Sequence, residues 1–175
     1  MSFTPRPARL SDALAIAGIY NDGIADREAT FETEPRTAGQ IAAWFDGRHP
    51  IVVVEDASGA VVAFASSSSY RNRACYAGIA EFSVYVARSH RGNGFGRLAL
   101  AALVEAATAA GYCKLVSRIF PENRESLALM ARLGFREVGT YQRHGKLDGR
   151  WRDCVIVERL IGDGTTALRL LHGAP

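Results

Sequence analysis

The sequence lacks the features that mark membrane-spanning, secreted and metal-binding chains. No apolar stretch approaches the length needed to cross a bilayer. The first residues, MSFTPRPARLSD, contain no apolar signal core. Cysteine is scarce, and Cys75, Cys113 and Cys154 are odd in number, far apart and without metal-ligand spacing. We therefore expect no disulfide framework, no metal site and no membrane partner, and we expect the protein to work in the reducing cytoplasm.

A dense basic run is also missing, although the formal net charge is +3. The 21 Lys and Arg residues are scattered, so the charge suits a small anionic ligand better than a nucleic acid. Apolar residues make up 48% and charged residues 22% of the 175 positions, as in a globular chain with a substantial core. Neither an internal repeat nor a low-complexity linker divides the chain. We expect one domain over residues 1–161 and a C-terminal tail over residues 162–175.

Hydrophobic periodicity predicts an α+β domain with a mixed central sheet. The predicted strands cover residues 3–9, 51–54, 61–69, 81–86, 114–120, 135–141 and 152–160. The predicted helices run from the N-caps Ser11 or Asp12 to about Gly23, over residues 38–47, from a glycine-rich turn to Gly111, and over residues 124–133. The segment 25–37 has no clear period, which predicts a surface loop of functional importance.

The stretch from Ala80 to Gly111 organises the rest of the chain. Apolar and polar residues alternate through its strand, as in a strand with one buried face, and a turn with three glycines follows. The helix after the turn places Leu100, Leu103 and Ala107 on one side at helical spacing. Such a turn presents bare backbone N–H groups at the positive end of the helix dipole. An anion is the natural ligand there.

Three kinds of glycine loop compete as interpretations of this turn. A P-loop would need the pattern G-x-x-x-x-G-K-[ST], which is absent. A dinucleotide fingerprint would need a third glycine where the chain has Arg97. The pattern R/Q-x-x-G-x-G/A matches residues 91–96 throughout, and it resembles the pyrophosphate-binding loop of the GNAT acetyltransferases. Because turn glycines are also common without a ligand, the neighbouring motifs decide between these interpretations.

Further motifs resemble one branch of the GNAT family, the phosphinothricin and methionine sulfoximine N-acetyltransferases. They are ATFETEP at residues 29–35, EFSVYV at residues 81–86, Asn123 and Ser126 with LGF at residues 133–135, and G-K-x-x-G-R-W-x-D at residues 145–153. The resemblance covers about residues 3–160, with the motifs in the family's order. The chain is therefore identified as a member of the GNAT superfamily and of this branch.

The resemblance implies the GNAT acyl-CoA N-acyltransferase fold, in which helices flank a mixed, mostly antiparallel central sheet with splayed strands. It also implies acetyl-CoA as co-substrate, a small-molecule amine as acceptor, and a homodimer. In this family the strand before the loop pairs with pantetheine, and the loop amides hold the pyrophosphate. The residues that the resemblance assigns to the coenzyme are Val84, Tyr85, Val86, Arg91, Gly92, Asn93, Gly94, Phe95, Gly96, Arg97, Asn123, Ser126 and Arg132.

Acetyl transfer to an amine needs a base, because most of the amine is protonated at neutral pH. The family places a carboxylate at the position of Glu81, so the resemblance makes Glu81 the general base, acting through water. A backbone N–H near Tyr85 is the expected donor to the thioester oxygen. The alternative is that Glu81 is a plain surface glutamate. Met130 stands where many relatives have Tyr or His, so the thiolate leaves unassisted or is protonated by Tyr85, Tyr141 or water.

Segments that the family turns toward the acceptor carry basic and aromatic side chains, and Arg forks suit carboxylate or phosphinate oxygens. The predicted substrate-binding residues are Phe31, Arg71, Arg73, Ala74, Cys75, Tyr76 and Lys146. We expect acetylation of the α-amine of a small amino acid such as methionine sulfoximine, methionine sulfone or phosphinothricin. The alternatives are another amine (a polyamine, an aminoglycoside or a protein N-terminus) and a non-catalytic acetyl-CoA-binding regulatory module.

Overall fold

Seven strands form one mixed sheet with helices packed on both of its faces. A computed structural model describes residues 3–163. The strands are β1 (Thr4–Pro7), β2 (Ile51–Glu55), β3 (Val61–Ser69), β4 (Ile79–Val86), β5 (Lys114–Ile119), β6 (Arg136–Leu147) and β7 (Arg150–Leu160), and the helices are α1 (Ala13–Asp26), α2 (Ala38–Ala42), α3 (Phe95–Ala109) and α4 (Arg124–Arg132). The strand order is β1-β2-β3-β4-β5-β7-β6, and only β4 and β5 run parallel. This α+β architecture confirms the predicted fold class.

Each face of the sheet supports its own hydrophobic core. On one face α3 and α4 cover Phe82 and the apolar residues of β2 and β3 that point the same way. On the opposite face α1 and α2 cover Val53, Phe64 and Tyr85. The alternation in β4 therefore supplies side chains to two cores. The expectation of a single buried face was wrong for this strand, because Tyr85 is buried beneath α1 while Phe82 is buried beneath α3.

The neighbouring strands β4 and β5 separate after a short parallel ladder. Backbone pairing joins residues 79–81 to residues 114–116 and goes no further. Beyond that point β4 stays paired with β3, and β5 stays paired with β7. The Ser117 hydroxyl donates to the Phe82 carbonyl over 2.9 Å where the strands part. This divergence confirms the splayed strands that the family resemblance implies, and it opens a cleft in the middle of the sheet.

The first helix is longer than predicted. α1 follows a 3₁₀ turn at Leu10–Asp12 and continues past Gly23 to Asp26. Asp12 anchors its start, because its carboxylate accepts from the Arg9 N–H at 2.7 Å and pairs with Arg6 at 2.7 Å. The hydrogen bond from Arg6 holds the pKa of Asp12 below its usual value.

The second helix is shorter than predicted. α2 ends at Ala42, not at residue 47, because the chain continues in tighter turns. The Trp44 N–H donates to the Ile41 carbonyl at 2.9 Å, and the Phe45 N–H donates to the Ala42 carbonyl at 3.2 Å. These turns bring the Trp44 ring to 5.3 Å from the Tyr20 ring of α1. Tertiary packing therefore ends the helix early.

The closing hairpin is also longer than predicted, since β6 and β7 extend beyond residues 135–141 and 152–160 toward each other. Asp148 and Gly149 connect them with φ values of +47° and +77°, as in the two-residue turn that an Asp-Gly pair favours. Arg143, at φ +48°, lies where the register shifts between Tyr141 and Gly145. The G-K-x-x-G-R-W-x-D motif is therefore the tip of a hairpin.

The first strand is shorter than predicted, and α3 ends where predicted. β1 spans Thr4–Pro7, shorter than the predicted 3–9. Gly111, at φ +87°, ends α3 as predicted, and the Tyr112 N–H then bonds to the Ala107 carbonyl at 3.0 Å. The predicted tail lies outside the described residues from residue 164 onward. Within residues 3–163, no helix is both long and apolar enough to span a membrane.

Candidate active site

A cavity of about 470 Å³ opens where β4 and β5 diverge. The loop between α1 and α2 closes one side of it, and the two strands form most of the rest. Tyr20 of α1, Phe120 after β5 and Cys154 of β7 complete the wall. Its lining comprises Tyr20, Ala29, Thr30, Phe31, Glu32, Thr33, Glu34, Glu81, Phe82, Ser83, Tyr85, Ser117, Arg118, Phe120 and Cys154. A smaller cavity of about 40 Å³ shares the strand residues and is lined in addition by Val84, Ile119, Asn123, Ser126 and Met130. Together they form one cleft that reaches from the loop to α4.

The glycine-rich turn presents its backbone amides at the start of α3. Gly92 and Gly94 have φ values of +77° and +83°, a conformation that glycine adopts without strain. No acceptor among residues 3–163 takes the backbone N–H groups of residues 92–96. The Arg97 N–H donates to the Gly94 carbonyl at 3.1 Å, which removes that amide from the set open to an anion. Five amides of the turn are therefore free to bind an anion.

The third glycine of the turn faces side chains of β4 and α4. A Cβ on Gly96 would stand 3.4 Å from the side chains of both Val86 and Leu129, which is ordinary van der Waals contact. A methyl group would therefore fit here, in keeping with the Gly or Ala that the R/Q-x-x-G-x-G/A pattern allows at this position.

Two polar side chains of the loop are engaged within the protein. Arg91 pairs with Asp26 at 2.6 Å and donates to the Val86 carbonyl at 3.3 Å. The Asn93 amide donates to the carbonyls of His90 and Arg91 at 3.3 and 3.1 Å. These contacts fix the loop to α1 and β4. The backbone N–H groups of the loop, and not these two side chains, are therefore the groups open to a ligand.

Glu81 lies in the cavity and pairs with Arg118 across the point of divergence. The Arg118 Nε donates to Glu81 Oε1 at 2.9 Å, and Nη2 contacts the same oxygen. The side chains of Glu81 and Arg118 are 24% and 47% exposed. The sequence interpretation found Glu81 through its motif but missed Arg118, whose strand gave no sign of a partner in β4.

Tyr85 turns its ring toward α1 and forms part of the cavity wall. The ring lies 5.0 Å from the Tyr20 ring in a perpendicular arrangement and over Gly23, where a Cβ would come within 2.7 Å of it. Burial, and secondarily the nearby Tyr20, raise the pKa of the Tyr85 phenol. The phenol is therefore protonated at neutral pH.

The α4 end of the cleft contains Asn123, Ser126 and Met130. Asn123 caps α4, because its Oδ1 accepts from the Ser126 N–H at 3.1 Å, and its Nδ2 donates to the Glu28 carbonyl at 3.3 Å. Met130 is buried and brings a thioether, which cannot donate a proton, to this end of the cleft. Arg132 is exposed at the end of α4 and lines neither cavity.

Of the predicted acceptor residues, Phe31 reaches the large cavity. Its ring lies 4.9 Å from the Phe120 ring, and Gly145 of β6 lies beneath it. The other predicted residues are outside the lining: Arg71, Arg73, Ala74, Cys75 and Lys146 are exposed, and Tyr76 is half-buried against Tyr70. Arg71 lies over the Tyr70 ring, and Lys146 lies over the Trp151 ring. The single chain therefore does not bring the predicted cations into the cavity.

The charges that do line the cavity are mainly acidic. Glu32, Glu34 and Glu81 contribute carboxylates, and Arg118 contributes a guanidinium. Glu32 forms an ion pair at 2.6 Å with Arg36, which does not line the cavity. The two loop glutamates belong to the ATFETEP motif, to which the sequence interpretation assigned no charge role. The signal that could have found them is their place in a loop expected to be functional.

The cysteines of the structure are all free thiols. Cys154 lines the large cavity, and burial raises the pKa of its thiol, so the thiol is protonated at neutral pH. Cys75 is exposed and lies outside the cavity. Among residues 3–163, no group of three or more His, Cys, Asp or Glu is arranged to hold a metal ion.

The sheet, its diverging middle strands and the open amides at the start of α3 are the features expected of a GNAT acyltransferase. Residues 16–135 match the acetyltransferase (GNAT) family, and the chain belongs to that family of N-acetyltransferases.

Relatives carry the names of the branch that the motifs resemble. The chain is 36% identical over 162 residues to an L-methionine sulfoximine/L-methionine sulfone acetyltransferase of Pseudomonas paraeruginosa, covering 90% of this chain and 94% of the relative. It is 36% identical over 160 residues to a phosphinothricin N-acetyltransferase of Streptomyces coelicolor, covering 88% and 94%. A Sinorhizobium meliloti GNAT phosphinothricin acetyltransferase, solved in complex with acetyl-CoA, aligns with a TM-score of 0.86 and 34% identity, covering 94% of this chain and 91% of that one.

Proposed function

We propose that the protein transfers an acetyl group from acetyl-CoA to the α-amine of a small amino acid such as methionine sulfoximine, methionine sulfone or phosphinothricin. The cleft between β4 and β5 carries this proposal, because its cavity holds a carboxylate and β4 leads into the turn that has open amides before α3. Relatives at 36% identity that are named for these acceptors support the choice of amino acid.

The coenzyme side of the cleft suits acetyl-CoA. Beyond Glu81, the edge of β4 that faces β5 has no neighbouring strand, so a pantetheine arm can add there as a strand would. The amides of residues 92–96 suit a pyrophosphate, and the space outside Gly92 and Gly94 is open. When bound, the coenzyme supplies a thioester acetyl group. The coenzyme contacts predicted from the sequence stand as part of this proposal.

Glu81 is the proposed general base. The acceptor ammonium loses two protons in becoming an amide nitrogen. Glu81 takes one, directly or through a water, and passes it to solvent, while the other leaves with the departing thiol. A backbone N–H near Tyr85 is the proposed donor to the oxygen on which charge builds. Cys154 needs no part in this direct transfer.

Residues outside the cavity complete the proposal on the acceptor side. Arg71, Arg73 and Lys146 stay the proposed contacts for the oxygen-rich end of the acceptor, with residues 74–76 beside them. We also propose a cytoplasmic homodimer, supported by the exposed apolar side chains of the β6–β7 hairpin, which are Val138, Tyr141 and Trp151. Lys146 contacts Trp151 and so belongs to the same surface.

The acidic lining favours a second candidate function, acetylation of an amine that has no carboxylate. Glu32, Glu34 and Glu81 outnumber Arg118 around the cavity, and a polyamine would meet complementary charge there. The engagement of Glu32 by Arg36 and of Glu81 by Arg118 weakens this alternative, because both carboxylates already have cationic partners.

A thiol-release assay with acetyl-CoA and a panel of amines tests the proposal. We expect efficient turnover of methionine sulfone, methionine sulfoximine or phosphinothricin, and poor turnover of spermidine, aminoglycosides and peptides. Arg73→Ala and Lys146→Ala should raise KM for the amino acid far more than KM for acetyl-CoA. Turnover of spermidine or a peptide with none of methionine sulfone would overturn the choice of acceptor. Binding of acetyl-CoA without thiol release for any amine would indicate a regulatory module.

A further inference from the structure

The ion pair between Glu81 and Arg118 stands where the two middle strands part. Glu81 is the last residue of β4 that pairs with β5, opposite Val116. Arg118 follows two positions later, so its side chain leaves β5 on the same face as Val116. Both charged side chains therefore emerge together at the inner end of the cleft, and both line the large cavity.

This pair is open to exchange of partners. The Arg118 Nε and Nη2 both contact Oε1 of Glu81, so the second carboxylate oxygen and Nη1 lie outside the pair. The side chains are 24% and 47% exposed, with solvent access through the cavity. An ion pair with this exposure adds little stability, because water screens it and long side chains lose freedom in forming it. It therefore opens at little cost when another anion arrives.

The charges of the pair are complementary to those of a free amino acid, since Arg118 can face its carboxylate and Glu81 its ammonium. An amino acid carries its carboxylate and its ammonium on the same carbon, so the two groups are neighbours. The Arg118 fork can receive the carboxylate through two parallel hydrogen bonds. The ammonium then falls beside Glu81, which is the group proposed to take its proton.

We infer that Arg118 recognises the α-carboxylate of the acceptor and, by changing partners, releases Glu81 to the α-amine. This inference rests on the proposed function and names the residue that selects amino acids within it. An amine without a carboxylate leaves Arg118 on Glu81, so the base stays engaged and turnover is poor. Arg118 is thus a specificity residue for the acetyl transfer.

The position of the other cations supports this assignment. Arg71, Arg73 and Lys146 are exposed outside the cavity lining, and Arg36 is engaged by Glu32. Arg118 is the guanidinium within the lining and the one beside the proposed base. The acidic excess of the cavity does not repel an amino acid, because the carboxylate meets Arg118 while the ammonium meets Glu81.

The test compares methionine sulfone with its decarboxylated amine as acceptors, using kcat/KM from thiol release at saturating acetyl-CoA. We expect the wild type to favour the amino acid, and Arg118→Gln to lower that preference about 10- to 100-fold, mainly through KM, because charge-assisted hydrogen bonds are lost. Arg118→Lys keeps the charge without the fork and should recover part of the preference. Arg136→Gln makes the same change at an exposed arginine that pairs with Glu158 away from the cavity, where Lys114 remains as a partner of Glu158, and should leave the preference unchanged.

The outcomes separate this inference from the proposed function. If Arg118→Gln folds normally, turns over methionine sulfone and keeps the wild-type preference, the inference is overturned while the proposed function stands. If the wild type acetylates no amino acid, the proposed function fails, and calorimetric binding of methionine sulfone decides the inference. Weaker binding to Arg118→Gln than to Arg136→Gln supports it, and equal or undetectable binding overturns it.

Discussion

Glu81 pairs with Arg118 and is also the proposed base. In the free protein Arg118 holds it, whereas the proposed chemistry requires it to face an amine. The two uses are compatible because an exposed pair of this kind contributes about 0–1 kcal/mol. The state of Glu81 therefore depends on what occupies the cavity.

The variant Glu81→Gln tests the role of this residue as the base. We expect kcat to fall about 10²- to 10⁴-fold, because the amide cannot take the proton of the acceptor. Part of the activity should return at higher pH, where more of the acceptor is already a free amine. Acetyl-CoA affinity, measured by calorimetry, should not change.

The exposed Glu137 of β6 offers a matched control, since Glu137→Gln makes the same chemical change away from the cleft. Its rate should equal that of the wild type. A pH–rate profile that is the same in Glu81→Gln and the wild type would point to a different base.

Single residues of the site were predictable where a motif carried them. Glu81, Phe31 and Met130 came from family patterns, and the structure brings all three to the cleft. Arg118 was not predictable, because its partner stands 37 positions earlier and their meeting depends on strand register. Arg118 is the exposed residue of a mostly buried strand, and the sequence alone does not show which side chain of another strand it will meet.

At the scale of elements, the α1–α2 loop and the closing hairpin are fitted to each other. A Cβ on Gly145 would stand 2.8 Å from two carbons of the Phe31 ring. The ring is also held against Phe120 at 4.9 Å. The glycine of the hairpin motif therefore leaves the room that the Phe31 ring occupies against the hairpin. Phe31 of the ATFETEP motif and Gly145 of the hairpin motif, far apart in sequence, therefore contact each other.

The variant Gly145→Ala tests this contact. The new methyl group should push Phe31 toward the cavity, because Phe120 blocks the other side of the ring. We expect KM for methionine sulfone to rise, while acetyl-CoA affinity stays as in the wild type. Gly139→Ala is the matched control on the same strand, because a Cβ there would meet no atom within 4 Å. Equal acceptor KM in both variants would contradict the proposed role of Phe31 as a wall.

Helices and strands were predictable where one buried side gave their apolar residues a regular spacing. α3 came out as expected because its apolar side faces the sheet. β6 was cut short in the prediction because it is exposed along most of its length and so shows no alternation. The Asp148-Gly149 pair, a strong hairpin signal, was available and would have corrected it. α2 was overestimated because packing of Trp44 on Tyr20 overrides local helix preference.

For the molecule as a whole, the order of elements and motifs was enough to predict the α+β fold class, the GNAT fold and the family. The shape of the cleft was not, because it follows from where the ladder between β4 and β5 stops. That stop sets which side chains face one another across the cavity. It brings Arg118 to Glu81 and leaves the predicted cations outside the lining.

The turn before α3 is the proposed pyrophosphate end of the acetyl-CoA site. Calorimetric titration of Gly94→Val with acetyl-CoA, beside Gly59→Val, tests it most directly. The two glycines have φ values of +83° and +82°, and a Cβ on either would meet no protein atom within 4 Å, so both variants carry the same backbone strain. Gly59 lies in the β2–β3 turn, away from the cleft.

We expect Gly94→Val, while still folded by circular dichroism, to bind acetyl-CoA about 10-fold or more weakly than the wild type, because its side chain fills the space in which the pyrophosphate meets the amides. Gly59→Val should bind as the wild type does. Equal, wild-type affinity in both folded variants would show that the turn does not hold the coenzyme.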